Sequence, residues 1–196
     1  MTLAQEWERL LFATGGAICF KKSFWFLISW VWTKSGTAKL ATIKASPRVI
    51  RLTEGSSTDD PITVPRIEAT SSYRTLGVRI SPSGSTDLAY SHLRSQSITF
   101  EGHIANSKLS RGEVYWAFWQ YYTPKITFSV PVLTLSQTQC KKIQSPAICA
   151  TLSKMHLNQH TARAIVYVPA CFAGLDLPER YTLAGIGQLR LFLGHL

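Results

Sequence analysis

The sequence predicts an α+β fold with segregated elements: a helix and a small antiparallel sheet up to about residue 84, then helices to the end. Three observations carry this. Leu3, Trp7, Leu10 and Leu11 recur at helical spacing ahead of Gly15 and Gly16. From Ala17 to Ile80 the period changes to two, in aromatic and β-branched runs broken by polar loops. From Thr86 onward the apolar residues return to a helical period.

Taken in order, residues 2–13 form an amphipathic helix, with the two glycines as its C-terminal stop. Ala17 to Trp32 reads as a strand or a tight hairpin. Phe24, Phe26, Ile28, Trp30 and Trp32 share one face, and Trp25, Leu27 and Val31 the other, so both faces are expected to be covered. Short β pieces follow at 39–43, 48–52, 62–68 and 73–80, with the polar loop EGSSTDDP among them. A helix over about 86–106 carries Leu88, His92, Leu93 and Ile104. The next opens at a capping box, Ser110 with Glu113, carries an aromatic stripe through Tyr122, and is expected to stop at Pro124. ITFSVPVL reads as extended or loop. Another helix starts at 136–139 and runs to the MHLNQH stretch, with Pro146 marking a kink or a break. A shorter helix near 159–168 leads to a turn at Ala173 and Gly174. The last helix, about 179–193, is expected to pack Tyr181, Leu183, Ile186, Leu189 and Leu193.

Composition narrows the function classes. The chain has 196 residues, is 45% hydrophobic and has a net charge of +10, a balance that favours a polyanionic partner. The basic excess is spread along the chain: 11 basic and 6 acidic residues precede position 81, and 10 and 5 follow it. Cys19, Cys140, Cys149 and Cys171 show no zinc spacing and read as reduced thiols of an intracellular protein. His156 and His160 stand four apart, but Asn158 and Thr161 beside them read as capping residues, so no metal site is assigned there. Asp59 and Asp60 are adjacent in a loop, where neighbouring side chains point apart. Glu6 and Glu8 argue against a secretory signal. FWFLISWVW, at nine residues, is about half of the ~20 that a membrane span needs. No membrane partner is expected, and the protein is read as intracellular and not secreted.

Catalytic signatures are missing. The sequence contains no G-x-S-x-G, H-E-x-x-H, P-loop or dinucleotide fingerprint, and TGGAICF has the reverse of the order that a phosphate-binding turn needs. What stands out is a Gly-Gly turn leading to Lys21 and Lys22, then YRTLGVRI, then a basic helical half rich in aromatics.

In that order these segments resemble the reverse transcriptases of non-LTR, LINE-like retrotransposons. TGGAICFKKSFWFL matches that family's Gly turn and Lys-bearing strand, and YRTLGVRISPSG its Y-L-G-v-x-i strand. PKITFSVPVLTLS, LNQHTARAIVYVP and FAGLDLPE match runs of its thumb and connection. The resemblance covers nearly the whole chain. Departures are Val168, where the family has Gly after the ARAIVY run, and Ala173, where it has the first Gly of a pair.

The resemblance implies a partial palm over 1–84 and a helical thumb and connection region over 85–196. It implies RNA and DNA primer–template as partners, and the upstream polymerase segment as another. Lys21 and Lys22 would border the leaving pyrophosphate. Leu76 and Gly77, with Arg74 and Arg79 beside them, would grip the primer. Lys108, Arg111, Lys141, Lys142 and Arg163 would follow the nucleic-acid backbone without reading its sequence. The metal-binding Tyr-x-Asp-Asp segment is not in this sequence. Two-metal nucleotidyl transfer needs carboxylates that hold the ions ~3.5–4 Å apart. This chain alone is therefore expected to be inactive, with no cofactor of its own and magnesium expected only for the complete polymerase.

Bland readings stand beside these. Lys21 and Lys22 also suit the solvated bend of a hairpin, Leu76 and Gly77 suit core and turn, and Trp116, Phe118 and Trp119 suit helix packing. The alternatives at the level of function are a self-standing basic nucleic-acid-binding module and a decayed reading frame. If the chain is a severed fragment, Phe24, Trp25, Trp30 or Trp32 should lie open; an independent module should cover them.

Overall fold

A computed structural model describes residues 3–15, 19, 22–52, 61–75 and 77–194. The fold is α+β, with short antiparallel β-hairpins followed by helices. It divides into two compact units: Met1–Ser72 with Ser81–Ser85, and Tyr73–Ile80 with Thr86–Leu196. The segment 73–80, read from the sequence as part of the first region, therefore belongs with the helices.

In the first unit, α1 (Leu3–Ala13) ends where Gly15 takes a left-handed φ of 79°. The expected inward face is not the buried one. Trp7 and Leu10 are exposed while Glu8 is buried. Strand β1 (Trp30–Trp32) pairs with β2 (Ala38–Leu40), and β3 (Ile50–Leu52) with β4 (Ile62–Val64). The sequence suggested strands covered on both faces. Instead, only residues 30–32 of that aromatic run form a strand, and Trp30 and Trp32 are 61% and 73% exposed. The reason is a shortage of partners: among the described residues, β1 and β2 make a two-stranded ribbon to which no third strand pairs. A small cluster does form where Leu52 and Val64 meet Trp25 and Ile50. There the Trp25 indole N–H donates to the Val64 carbonyl at 3.2 Å, and the Arg66 guanidinium stands 4.9 Å from the Trp25 ring centre.

The second unit opens with a hairpin. YRTLGVRI, expected as one strand, folds back on itself as β5 (Tyr73–Thr75) and β6 (Val78–Ile80). Thr75 faces Val78, leaving a two-residue connection whose Gly77 has φ 90°. Such connections require positive φ, and a side chain there would be strained.

Helix α2 (Asp87–Asn106) buries Leu93, Phe100 and Ile104. Ser110 caps α3 (Arg111–Ala117) in the expected box, its hydroxyl accepting from the Glu113 N–H while the Glu113 carboxylate accepts from the Ser110 N–H. Pro124 does not stop the chain. A π-helical turn, Phe118–Tyr122, leads directly into α4 (Thr123–Thr127), with Pro124 in its first turn. A proline is tolerated there because the π-helical turn before it shifts the backbone bonding, the Thr123 N–H reaching back to the Phe118 carbonyl. Residues 130–132 then form a 3₁₀ turn, within the run expected to be extended or loop.

A second capping box, Ser136 with Gln139, opens α5 (Gln137–Lys154), which continues unbroken past Pro146. It packs along α2 in the centre of the core. Next come α6 (Arg163–Tyr167) and α7 (Arg180–Leu193). Here too the apolar expectation was turned around: Tyr181, Ile186, Leu189 and Leu193 are exposed, and α7 buries Arg180 and Ala184. Gly187 makes the close approach possible, since a Cβ there would stand 2.5 Å from Cγ of Pro131. Among the described residues, no helix is long and apolar enough to cross a membrane.

Arg180 is the largest fully buried side chain, 1% exposed. Its guanidinium donates to the hydroxyls of Thr127 (2.6 Å) and Thr123 (3.0 Å) and lies 5.0 Å from the centre of the Tyr122 ring. Gln144 supports the same corner, accepting from the Arg180 backbone N–H and donating to the Pro178 carbonyl. Burial pulls the Arg180 pKa below the ordinary arginine value and pushes that of Tyr122 up.

Candidate nucleic-acid interface

Strand alternation gives the β5–β6 hairpin two chemically different faces. Arg74 and Arg79 are direct cross-strand partners and share one of them. Thr75, Val78 and Ile80 share the other. Each face borders a cavity. On the arginine side a cavity of about 510 Å³ is closed by His92 and Gln96 of α2 and by Lys125 and Phe128 at the end of α4. On the apolar side, a cavity of about 500 Å³ runs between the hairpin, Pro131, Val132 and Leu191 of α7, with Arg190 at its wall.

Two arginines and a lysine thus converge on the first cavity, and β6 packs along α2 to hold them there. Their field is legible in His92. Desolvation at the cavity wall, and then the charges of Arg79, Arg74 and Lys125, hold its pKa below the usual histidine value. His92 also lies 2.8 Å from the Gln96 side-chain nitrogen, so its facing Nε2 acts as the acceptor. Lys125 is steadied by the Tyr121 ring, with Nζ 5.3 Å from its centre. A pocket whose charged lining is wholly cationic, with amide and imidazole beside it, suits a phosphate-bearing ligand.

Of the residues singled out from the sequence, Arg74, Gly77 and Arg79 come together here. Lys141 and Arg163 meet at a third cavity, of about 370 Å³, beside Tyr167 and Glu179. Lys108, Arg111 and Lys142 are exposed and line none of the three cavities. Lys22 is exposed in the first unit. Lys21 and Leu76, like Asp59 and Asp60, lie outside the described residues. Sequence reasoning missed Lys125, Gln96, His92 and Phe128 as site residues. The expected stop at Pro124 hid the first, because it ended the helix before Lys125, which the structure places within α4.

Among the described residues, no three His, Cys, Asp or Glu side chains converge to hold a metal ion. No family model, no curated protein and no solved structure matches the chain.

Proposed function

We propose that the chain is the late palm and the thumb of a non-LTR retrotransposon reverse transcriptase, and that it holds primer–template nucleic acid without a catalytic centre of its own. The observation that carries this reading is the cationic cavity at the LG hairpin. The segment whose resemblance implies a primer grip is lined on one face by Arg74 and Arg79, with Lys125 opposite. Such contacts to phosphate fix the position of a strand and carry no sequence preference. The exposed Trp30 and Trp32 support the fragment over a self-standing module, since a module has no missing strands to leave them open.

Two experiments test this. Binding to an RNA–DNA duplex should be measurable at low salt and fall steeply as salt is added. Affinity that is undetectable at low salt, or indifferent to salt, would rule out the holding role. Separately, the genomic sequence upstream of Met1 should encode a Tyr-x-Asp-Asp segment, in frame or frameshifted. Its absence would leave nucleic-acid binding standing and remove the polymerase origin.

A further inference from the structure

Among the described residues, Phe128 is the one side chain that lines both cavities of the hairpin. It follows the last residue of α4 and is 61% exposed, so its ring is open to a ligand. Gly77, at the tip of the hairpin, lies directly against it: a Cβ at that position would stand 3.2 Å from Cε1 of the ring. Gly77 itself therefore puts no side chain against Phe128. On one side of the ring are Arg74, Arg79 and Lys125; on the other the walls are Val78, Ile80 and Val132.

This juxtaposition asks for a ligand that carries phosphate charge and a flat apolar group within one nucleotide's reach. We propose that Phe128 is a stacking platform for an unpaired base, with the phosphates of the same strand on Arg74, Arg79 and Lys125. The inference rests on the nucleic-acid reading above and narrows it to a strand with a single-stranded extension. In a duplex each base is already stacked and its face is closed to Phe128. An unpaired base offers a free π-face, and an apolar platform accepts any of the four. Charge complementarity selects this occupant over a neutral apolar peptide, because the apolar cavity opens beside three cations.

The test compares a blunt duplex, the same duplex with a single-stranded extension, the extension made of abasic sugars, and vesicles of anionic phospholipid. Affinities are measured by fluorescence anisotropy or co-sedimentation for the wild-type chain, Phe128→Leu and Phe128→Trp. The extension should tighten binding about tenfold over the blunt duplex, and the abasic extension should not. Phe128→Leu should lose that gain, binding extended and blunt duplexes alike, and Phe128→Trp should retain it. Because the ring is largely exposed, both variants should melt close to the wild type. Equal affinity for blunt and extended duplexes, or an undiminished gain in Phe128→Leu, would overturn the stacking site and leave backbone binding intact. Binding to none of the nucleic acids would overturn both readings. Binding to vesicles alone would do the same and make the paired cavities a site for a lipid phosphate and its chain.

Discussion

The two units use similar residues to different ends. Among the described residues, the first unit buries only Leu52 and Val64 as a cluster, with Trp25 and Ile50 against them, and leaves Trp30 and Trp32 open. The second gathers 21 buried residues from the β5–β6 hairpin and the helices α2 to α7 into one core. Both are rich in aromatics, so hydrophobicity does not separate them. Geometry does. Two-stranded ribbons have no opposing layer to bury against, whereas α2 and α5 pack along each other and bury their facing side chains. The lesson for function is that the cationic cavity is built on the better-packed unit, where its side chains can be held in place.

That contrast is open to direct attack. The largest effect is expected from Leu152→Ala, which opens a cavity at a fully buried position and should cost ~2–5 kcal/mol in denaturant unfolding. Leu52→Ala in the first unit should cost about 2 kcal/mol or less, because its sparse surroundings can collapse. Equal losses at the two sites would mean that the first unit is as tightly packed as the second.

Next in size, Arg180→Met should destabilise by ~1–3 kcal/mol, since Thr123 and Thr127 lose the donor that their hydroxyls accept from. A neutral result in thermal melts would show that the guanidinium contributes nothing to the corner it fills. A gain is expected from Ala173→Gly. Ala173 sits at φ 59°, a left-handed conformation that glycine adopts freely, and the substitution should stabilise by ~0.5–1 kcal/mol.

The smallest effect concerns pH. Because the folded pKa of His92 is lowered, the stability tied to its neutral form is present above the ordinary histidine pKa of 6.5 and declines as pH falls below it. NMR titration should find His92 ionising below 6.5 in the wild type and closer to it once Arg74 and Arg79 are both glutamine. An unchanged midpoint would mean that the arginine charges do not reach it.

Much of the helical unit was legible beforehand, because its signals are local. Ser110 with Glu113 announces a helix start through bonds made within four residues and is present as read, and the start read at 136–139 is made by a second such box, Ser136 with Gln139. The misreadings arise where distant contacts decide. YRTLGVRI has the alternation of a single strand, and only the conformation of Gly77 reveals the turn. Pro124 is a helix breaker in isolation, yet the π-helical turn before it carries the chain through. Arg180 reads as a surface cation and is buried because Thr123, Thr127 and Tyr122 arrive from a segment more than fifty residues earlier. The site shows the same split. Arg74 and Arg79 could be picked out within one motif, whereas Lys125, His92 and Phe128 join them only through packing of the hairpin on the helices.

The central claim is that the cations at the hairpin grip a phosphate backbone. Its most direct measurement is the dependence of duplex affinity on salt for the wild type and for the variant Arg74→Gln, Arg79→Gln, Lys125→Gln. Each lost phosphate contact should lower the slope of log K against log salt by ~0.9, so the triple variant should show a slope shallower by about 2 to 3 and weaker binding at low salt. An unchanged slope would contradict the claim, because it would place the phosphate contacts somewhere other than this cavity.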